Sequence, residues 1–460
     1  MMTFLPRLGG LFAASVVAGA LGGCTSLPPG RNLKVATAGV SQALCSAVFV
    51  SRRDIDQAYR EEMRPQGGMW MIDWALHYEL DPRKREVRTT VAGGFASRSV
   101  YREGMGCQVD NGRLPPPTPA DASVQPPPRL PEIAGPQPVA AAHPKLRAAV
   151  DAAFDPSWEA TKAVVVLHRG RVVAERYAPD VTLDTAWHAH SISKSATHAM
   201  VGILARQGRL DPRPLDPLLR MTEGKARFRG YTGFDDATRM WSLEPDMAAY
   251  AEARPQEVPP GTRWDYSDPG YMRVSKAIRD AVGGTAADVQ RFAHTELFGP
   301  LGMRSVVMEF DAAGTPVGAS HFYGTARDWA KLGLLYLNHG EVGGERLLPV
   351  NWAREAATQT LDVGYGSGFW LNLPATSQHP LGFPWGLPGA PADAYFGYGY
   401  LGQYLIVVPS ADLVIVRFGL THERGGGRVQ AGRLVAGVID SLAPSPSRQH
   451  EALEAATMVR

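Results

Sequence analysis

Cysteine is nearly absent from this chain, with three residues in 460. That excludes a disulfide-dense scaffold, and no Cys-x-x-Cys pair or histidine-rich partner near a cysteine supplies metal-site spacing. Excess charge of one sign is also lacking: the formal net charge is +2 and the basic residues are scattered, which argues against nucleic acid as a partner. No Gly-x-Ser-x-Gly elbow occurs, so the α/β-hydrolase reading fails at its most diagnostic feature. No glycine-rich phosphate loop ending in Lys-Ser or Lys-Thr is present either. Lysine is scarce beside arginine, so a lysine standing in a patterned position carries more weight than usual.

What is present begins at the N-terminus. Leu8 to Gly23 is a run of sixteen apolar and small residues behind a single positive charge. It is short for a spanning helix and suits a signal-peptide core. It closes on Leu21-Gly22-Gly23-Cys24, a small-residue stretch that resembles a bacterial lipoprotein signal. Residues 1–23 then read as a signal peptide and Cys24 as a lipidation site, anchoring an exported protein to the cell envelope, facing the periplasm. An ordinary cleaved signal with an incidental cysteine is the alternative. With Cys24 lipidated, Cys45 and Cys107 remain as a pair that an oxidising compartment would join. Two buried free thiols are the alternative.

Residues 24–113 read as a small strand-rich module. Val35 to Val50 is a strand or short helix, and Glu86 to Ala96 and Ser97 to Val109 are strand runs around Gly93-Gly94. Residues 114–140 contain Pro115-Pro116-Pro117 and Pro126-Pro127-Pro128, which favours an extended linker over packed structure. The main domain spans 141–445, followed by a polar tail at 446–460. It opens with a helix at Leu146 to Phe154 and a hairpin of Ala163 to His168 with Val172 to Tyr177. Helical spacing recurs at Ser191 to Gln207, Met272 to Val282, Ala286 to Leu297, Ala326 to Leu337 and Gly427 to Leu442. A second hairpin joins Tyr404 to Val408 and Leu413 to Phe418. Strands at both ends with helices between them imply an α+β fold, one antiparallel sheet built from the two termini with a helical insertion.

Three segments carry chemistry. In Ser191-Ile192-Ser193-Lys194 the spacing puts the hydroxyl and the amine on one side of a helix, within reach of each other. A serine in the first turn also sits at the positive helix end, which favours a developing oxyanion. The bland reading is a solvated helix start. Tyr266-Ser267-Asp268 lies on a loop before a helix, where a tyrosine beside an ammonium can act as general base. Its bland reading is a helix cap with a packing tyrosine. Gly399-Tyr400-Leu401-Gly402-Gln403 enters a strand, and its glycines let a substrate carbonyl approach. The N–H of Gln403 is the expected second oxyanion donor beside that of Ser191, and a plain β-turn is the alternative. His188 and His190 precede the serine at a spacing of two, but with no third ligand they read as packing at the helix entry.

Together the three segments resemble the class C beta-lactamase and penicillin-binding-protein-like serine hydrolases. Flanks such as Pro260-Gly261, Pro300-Leu301-Gly302-Met303 and Thr325-Ala326-Arg327-Asp328 match too. The likeness covers Leu146 to Leu442 and is closest to the esterases and 6-aminohexanoate-dimer hydrolases. It implies an antiparallel sheet flanked by helices plus a helical lobe, an acyl-enzyme on Ser191, and Lys194 and Tyr266 as the base system. No metal or organic cofactor is required.

Two departures shape the expected substrate. Asp268 stands where the family usually has Asn, and an acid there would keep Lys194 charged and favour Tyr266 as the base. Tyr400 stands where true beta-lactamases carry a cation for the substrate carboxylate. A small-molecule ester or amide is therefore expected, with Trp264, Phe369, Trp370, Tyr400, Asp268 and Gly402 near it. A non-catalytic envelope-binding protein, a D-amino-acid peptidase and a weak beta-lactamase are the rival readings.

Overall fold

The computed structural model describes residues 28–156, 160–227, 235–373, 386–422 and 427–442. Cys24, the signal segment and the 446–460 tail lie outside the described residues. The chain divides into two compact units, one of residues 1–117, 226–254 and 309–314, the other of 118–225, 255–308 and 315–460. The first unit thus draws two segments from within the stretch read as the main domain.

In the first unit α1, Pro28–Phe49, packs on a four-stranded antiparallel sheet in the order β1–β2–β3–β4. The strands are Leu76–Asp81, Glu86–Val91, Gly94–Arg102 and Gly106–Val109. Val35 to Phe49 is thus helix, and β1 is a strand beyond those read from the sequence. The helical stripe was hard to read because small hydroxyl residues lie on the buried face. Thr37 Oγ1 meets Ser97 Oγ at 2.8 Å and Ser41 Oγ meets Ser99 Oγ at 2.9 Å, so each polar group is buried with a partner. The Cys45–Cys107 disulfide is present with a Cα–Cα distance of 6.0 Å, tying α1 to β4.

The second unit holds a six-stranded antiparallel sheet, β7–β8–β9–β10–β5–β6. Here α2 is Pro144–Ala152, β5 Thr161–His168 and β6 Arg171–Tyr177. Then come α3, Ser193–Arg206, α4, Asp268–Val282, α5, Ala286–Ala293, and α6, Ala326–Leu337. The C-terminal part supplies β7, Trp370–Leu371, β8, Tyr395–Gly399, β9, Gln403–Val408, β10, Leu413–Gly419, and α7, Arg428–Leu442. Both hairpins read from the sequence are formed, and the β10–β5 pairing closes the two termini into one sheet. Every residue of β9 and β10 is buried, the signature of central strands covered on both faces. Helix α6 packs on β9, β10 and β5, and a Cβ on Gly333 would stand 2.5 Å from Val414 Cγ1, so the helix needs glycine there to close on the sheet.

The proline-rich segment holds one short 3-10 turn, Ala120–Ser123, and no strand, but it is packed rather than free. Val172 N–H donates to the Ile133 carbonyl and Glu175 N–H to that of Val139, extending the sheet edge at β6. Ile133 is buried, and a Cβ on Gly299 would stand 2.4 Å from Pro126.

Glu309 belongs to the first unit and lies fully buried there. It accepts from Ser46 Oγ at 2.6 Å, Gln42 Nε2 at 2.6 Å and the Cys107 N–H at 2.9 Å. Burial pushes its carboxyl up to about 8, against the opposing pull of those donors. A raised folded value means the protonated form favours folding. Its contribution is full below the ordinary carboxylate range and lost as pH rises through about 8. Thermal denaturation of wild type should therefore lose stability across that window relative to Glu309→Gln, which lacks the titration. Parallel curves for the two proteins would refute this.

Candidate active site

Ser191 lies in a single 3-10 turn, His190–Ile192, that feeds directly into α3. His190 adopts a left-handed backbone with φ of 48°, a conformation that costs a residue with a Cβ about 1 kcal/mol or more. That bend sets Ser191 at the mouth of α3. The helix is then held by its own small polar side chains. Ser193 Oγ donates to the Ser320 carbonyl at 2.8 Å and accepts from the Phe322 N–H at 3.1 Å. Thr197 Oγ1 donates to the Gly318 carbonyl at 2.9 Å, and Ser195 Oγ to that of Gly368 at 2.8 Å. A Cβ on Gly318 would stand 2.4 Å from Thr197 Oγ1, so glycine lets this strap lie flat along the helix. The strap, residues 317–322, was not recognised in the sequence; its signal is the small run Gly318-Ala319-Ser320 after Pro316.

The structure brings Ser191, Lys194, Tyr266 and Asp268 together. Lys194 Nζ lies 3.0 Å from Ser191 Oγ, 2.5 Å from Asp268 Oδ1 and 2.6 Å from the Ala319 carbonyl oxygen. Its side chain is 1% exposed, against 17% for Asp268. An ammonium has three protons and no lone pair, and three acceptors surround this one. Nζ also stands 4.8 Å from the centroid of the Tyr266 ring, on its π-face, and 5.6 Å from that of Tyr271. Asp268 opens α4, and Ser267 caps that helix by accepting from the Gly270 N–H at 2.9 Å while donating to Glu223. Capping and placement of Tyr266 and Asp268 are thus two jobs of one turn.

Behind Tyr266 stands a set of aromatic rings. Trp370 stacks on it at 5.5 Å and 10°, and Trp264 and Tyr365 sit 5.8 Å and 4.9 Å from Trp370. Trp264 and Trp370 are themselves buried. Phe369 is fully buried against Tyr336 and Tyr395 and is a core residue rather than a pocket wall. Tyr400, by contrast, is 50% exposed beside the edge of His190.

Gln403 is placed differently from expectation. Its side chain is locked: Nε2 donates to the Tyr400 and Gly419 carbonyls and Oε1 accepts from the Gly419 N–H. Its backbone stands opposite Gly399 where the β8–β9 hairpin closes. The Ala394 carbonyl accepts from Asn372 N–H on the β7 side, so alternation turns the N–H groups of Phe396 and Tyr398 that way and those of Gly397 and Gly399 toward β9. Gln403 therefore faces into the ladder, while Tyr398 turns its N–H to the side of β8 beyond the last β7 pair, Trp370 with Phe396. Gly402 holds a φ of 78° in the turn, and its carbonyl accepts from Arg417 at 2.7 Å. Gly397 and Gly399 lie in β8, which β7 covers only as far as Phe396.

The histidines form a stack. His188 and His190 rings are 3.6 Å apart, and His188 also contacts His321 and Tyr323. Burial pulls His190 down to about 3, helped by His321 and Lys194, and His321 to about 4, where Asp268 pulls the other way and Lys194 adds to the drop, so both stay neutral above mildly acidic pH. Among the described residues no group of histidine, cysteine or acidic side chains is arranged to hold a metal ion.

A serine at the head of a helix, hydrogen-bonded to a buried lysine three residues on that lies against a tyrosine ring, accompanies an antiparallel sheet covered by helices, and the fold is beta-lactamase-like. The chain belongs to the Beta-lactamase family, whose profile matches residues 150–437. It is similar in structure to a provisionally assigned 6-aminohexanoate-dimer hydrolase from Bacillus anthracis, with 18% identity and a TM-score of 0.52 over 76% of this chain and 92% of that one. It is also similar to a penicillin-binding protein homologue from Caulobacter crescentus, with 16% identity and a TM-score of 0.51 over 66% of this chain and 99% of that one. At these identities the likeness is one of fold. A search of curated proteins finds no match.

Gly399 is the close-contact point between β8 and the serine turn: a Cβ there would stand 2.4 Å from the Ala189 carbonyl oxygen. Gly399→Ala should shift the Ser191 turn by a fraction of an ångström or more and lower kcat by about 10²-fold. Steady-state kinetics alongside thermal denaturation checks this; unchanged kcat in a folded variant would refute it.

Proposed function

We propose that this chain is a serine hydrolase that cleaves an ester or amide through an acyl-enzyme on Ser191. The observation that carries the reading is the Lys194 ammonium, donating at once to Ser191 and Asp268 beneath the Tyr266 ring. An amine whose protons are all matched to acceptors is poorly placed to take another proton. It favours the phenolate form of a neighbouring tyrosine instead, and Tyr266 becomes the base.

In this mechanism Ser191 Oγ attacks the carbonyl carbon as its proton passes to Tyr266. The tetrahedral oxyanion is held by the Ser191 N–H at the head of α3 and by the Tyr398 N–H from β8. Tyr266 then protonates the leaving alcohol or amine, and a water releases the acyl group by the reverse path. The substrate is expected to be uncharged near the acyl carbon. Tyr400 brings no cation, and the neighbouring histidines are neutral by burial, so nothing in that group substitutes for the carboxylate-binding cation of beta-lactamases. The similarity to a 6-aminohexanoate-dimer hydrolase fold accords with a linear amide. Export to an oxidising compartment and a lipid anchor at Cys24 are part of the same proposal, and the disulfide supports the first of them.

A fluorophosphonate probe should label wild type and leave Ser191→Ala unlabelled; equal labelling would sink the proposal. Tyr266→Phe should lower kcat on nitrophenyl esters by roughly 10²- to 10⁴-fold, the range of a lost general base. A loss of only a few-fold would move the base role elsewhere.

A further inference from the structure

The first unit carries an apolar surface that the hydrolase reading does not use. Trp70 and Trp74 are 78% and 84% exposed, and Met71 between them is 52% exposed. Side chains that open to solvent protrude, and they form no pocket for a small molecule. The segment bearing them is nonetheless firmly built. Met69 is buried in the core with Cys45 and Cys107, and two short 3-10 turns, Met69–Met71 and Asp73–Ala75, shape the backbone. Trp74 Nε1 donates to the Met71 carbonyl at 3.0 Å. The one acid in the segment, Asp73, is occupied by Tyr59 Oη at 2.6 Å and Arg64 Nε at 3.1 Å.

The position of this segment within the unit supplies the occupant. Ala75 accepts from the Ala92 N–H, and β1 starts opposite Val91, so the segment adjoins the β2–β3 turn. That turn in its own right adjoins the first half of α1, where Thr37 Oγ1 donates to the Phe95 carbonyl at 2.7 Å and Lys34 Nζ to that of Ala96. The tryptophans and the start of α1 therefore share one end of the unit. Helix α1 begins at Pro28, four residues after Cys24. Four residues span at most about 14 Å.

We propose that Trp70, Met71 and Trp74 form a docking surface that enters the headgroup region of a phospholipid bilayer beside the Cys24 anchor. Tryptophan is suited to that region because its ring is apolar while its N–H can remain in a polar layer. No helix among the described residues is long and apolar enough to cross a membrane, so contact of this kind is peripheral. Side chains in the headgroup region add a second kind of contact to that of the acyl chains. They also fix the orientation of the unit at the surface, which acyl chains alone do not.

The inference rests on the proposed export and lipidation, and the experiment separates the two. The mature full chain is purified, its mass read for acyl chains, and the protein reconstituted into phosphatidylethanolamine/phosphatidylglycerol vesicles with brominated acyl chains. Wild-type tryptophan fluorescence should be quenched by the bromolipid. Trp70→Ala/Trp74→Ala should lose most of that quenching while ester hydrolysis stays at the wild-type level. Equal quenching in the two proteins overturns the docking surface. So does a wild-type dimer without bromolipid quenching that the double substitution dissociates, which assigns the patch to a second copy. A mass without acyl chains refutes the anchor alone, and vesicle binding that still depends on the two tryptophans then upholds the surface.

Discussion

The site depends on one buried positive charge. Lys194 sits with its ammonium out of water, and such a charge is tolerated only where partners replace the lost hydration. Three partners come from three parts of the chain: Ser191 from the head of α3, Asp268 from the first turn of α4, and the Ala319 carbonyl from the strap at 317–322. Removing any one leaves a proton of the ammonium without its acceptor. The requirement that keeps the lysine charged thus also assembles the site, since no two of these segments are neighbours in sequence. Tyr266 follows as a consequence, being tied to Asp268 through one capped turn and lying over the same charge.

The surrounding scaffold holds that arrangement by small residues and hydroxyls. Gly318 lets the strap touch Thr197, Gly399 lets β8 touch the serine turn, and from α3 Ser193 and Thr197 bond to the strap and Ser195 to Gly368. Each is a short contact with little freedom, so the Ser191 turn and α3 are themselves pinned. The neutral histidine stack and the exposed Tyr400 then bring no cation of their own to the surroundings of Ser191. Preorganised geometry of this kind is what acyl transfer demands of a protein, because the charge develops only at the transition state.

Much of this was legible in the sequence where chemistry and periodicity coincide. Lys194 three residues after Ser191 needs only helical geometry to meet it, and the two hairpins and α6 follow from alternation and capping. Cys45 and Cys107 were a pair by arithmetic. What escaped depends on long-range contacts that leave weak local marks. The choice between strand and helix for α1 stayed open because Thr37 and Ser41 are buried by pairing with β3 hydroxyls, which no hydropathy pattern shows. The side faced by the Gln403 N–H depends on parity, since a one-residue shift along a hairpin exchanges the ladder side for the open side. The proline-rich stretch reads as a linker by composition, yet Ile133 and Val139 accept hydrogen bonds from β6 and make it an edge of the sheet.

The charge of Lys194 can be read directly. In protein labelled with ¹⁵N-lysine, the Nζ resonance assigned by Lys194→Arg should show an ammonium throughout neutral and mildly alkaline pH, with Asp268 in place. A resonance at the neutral-amine position at neutral pH would contradict the account and return the base role from Tyr266 to Lys194.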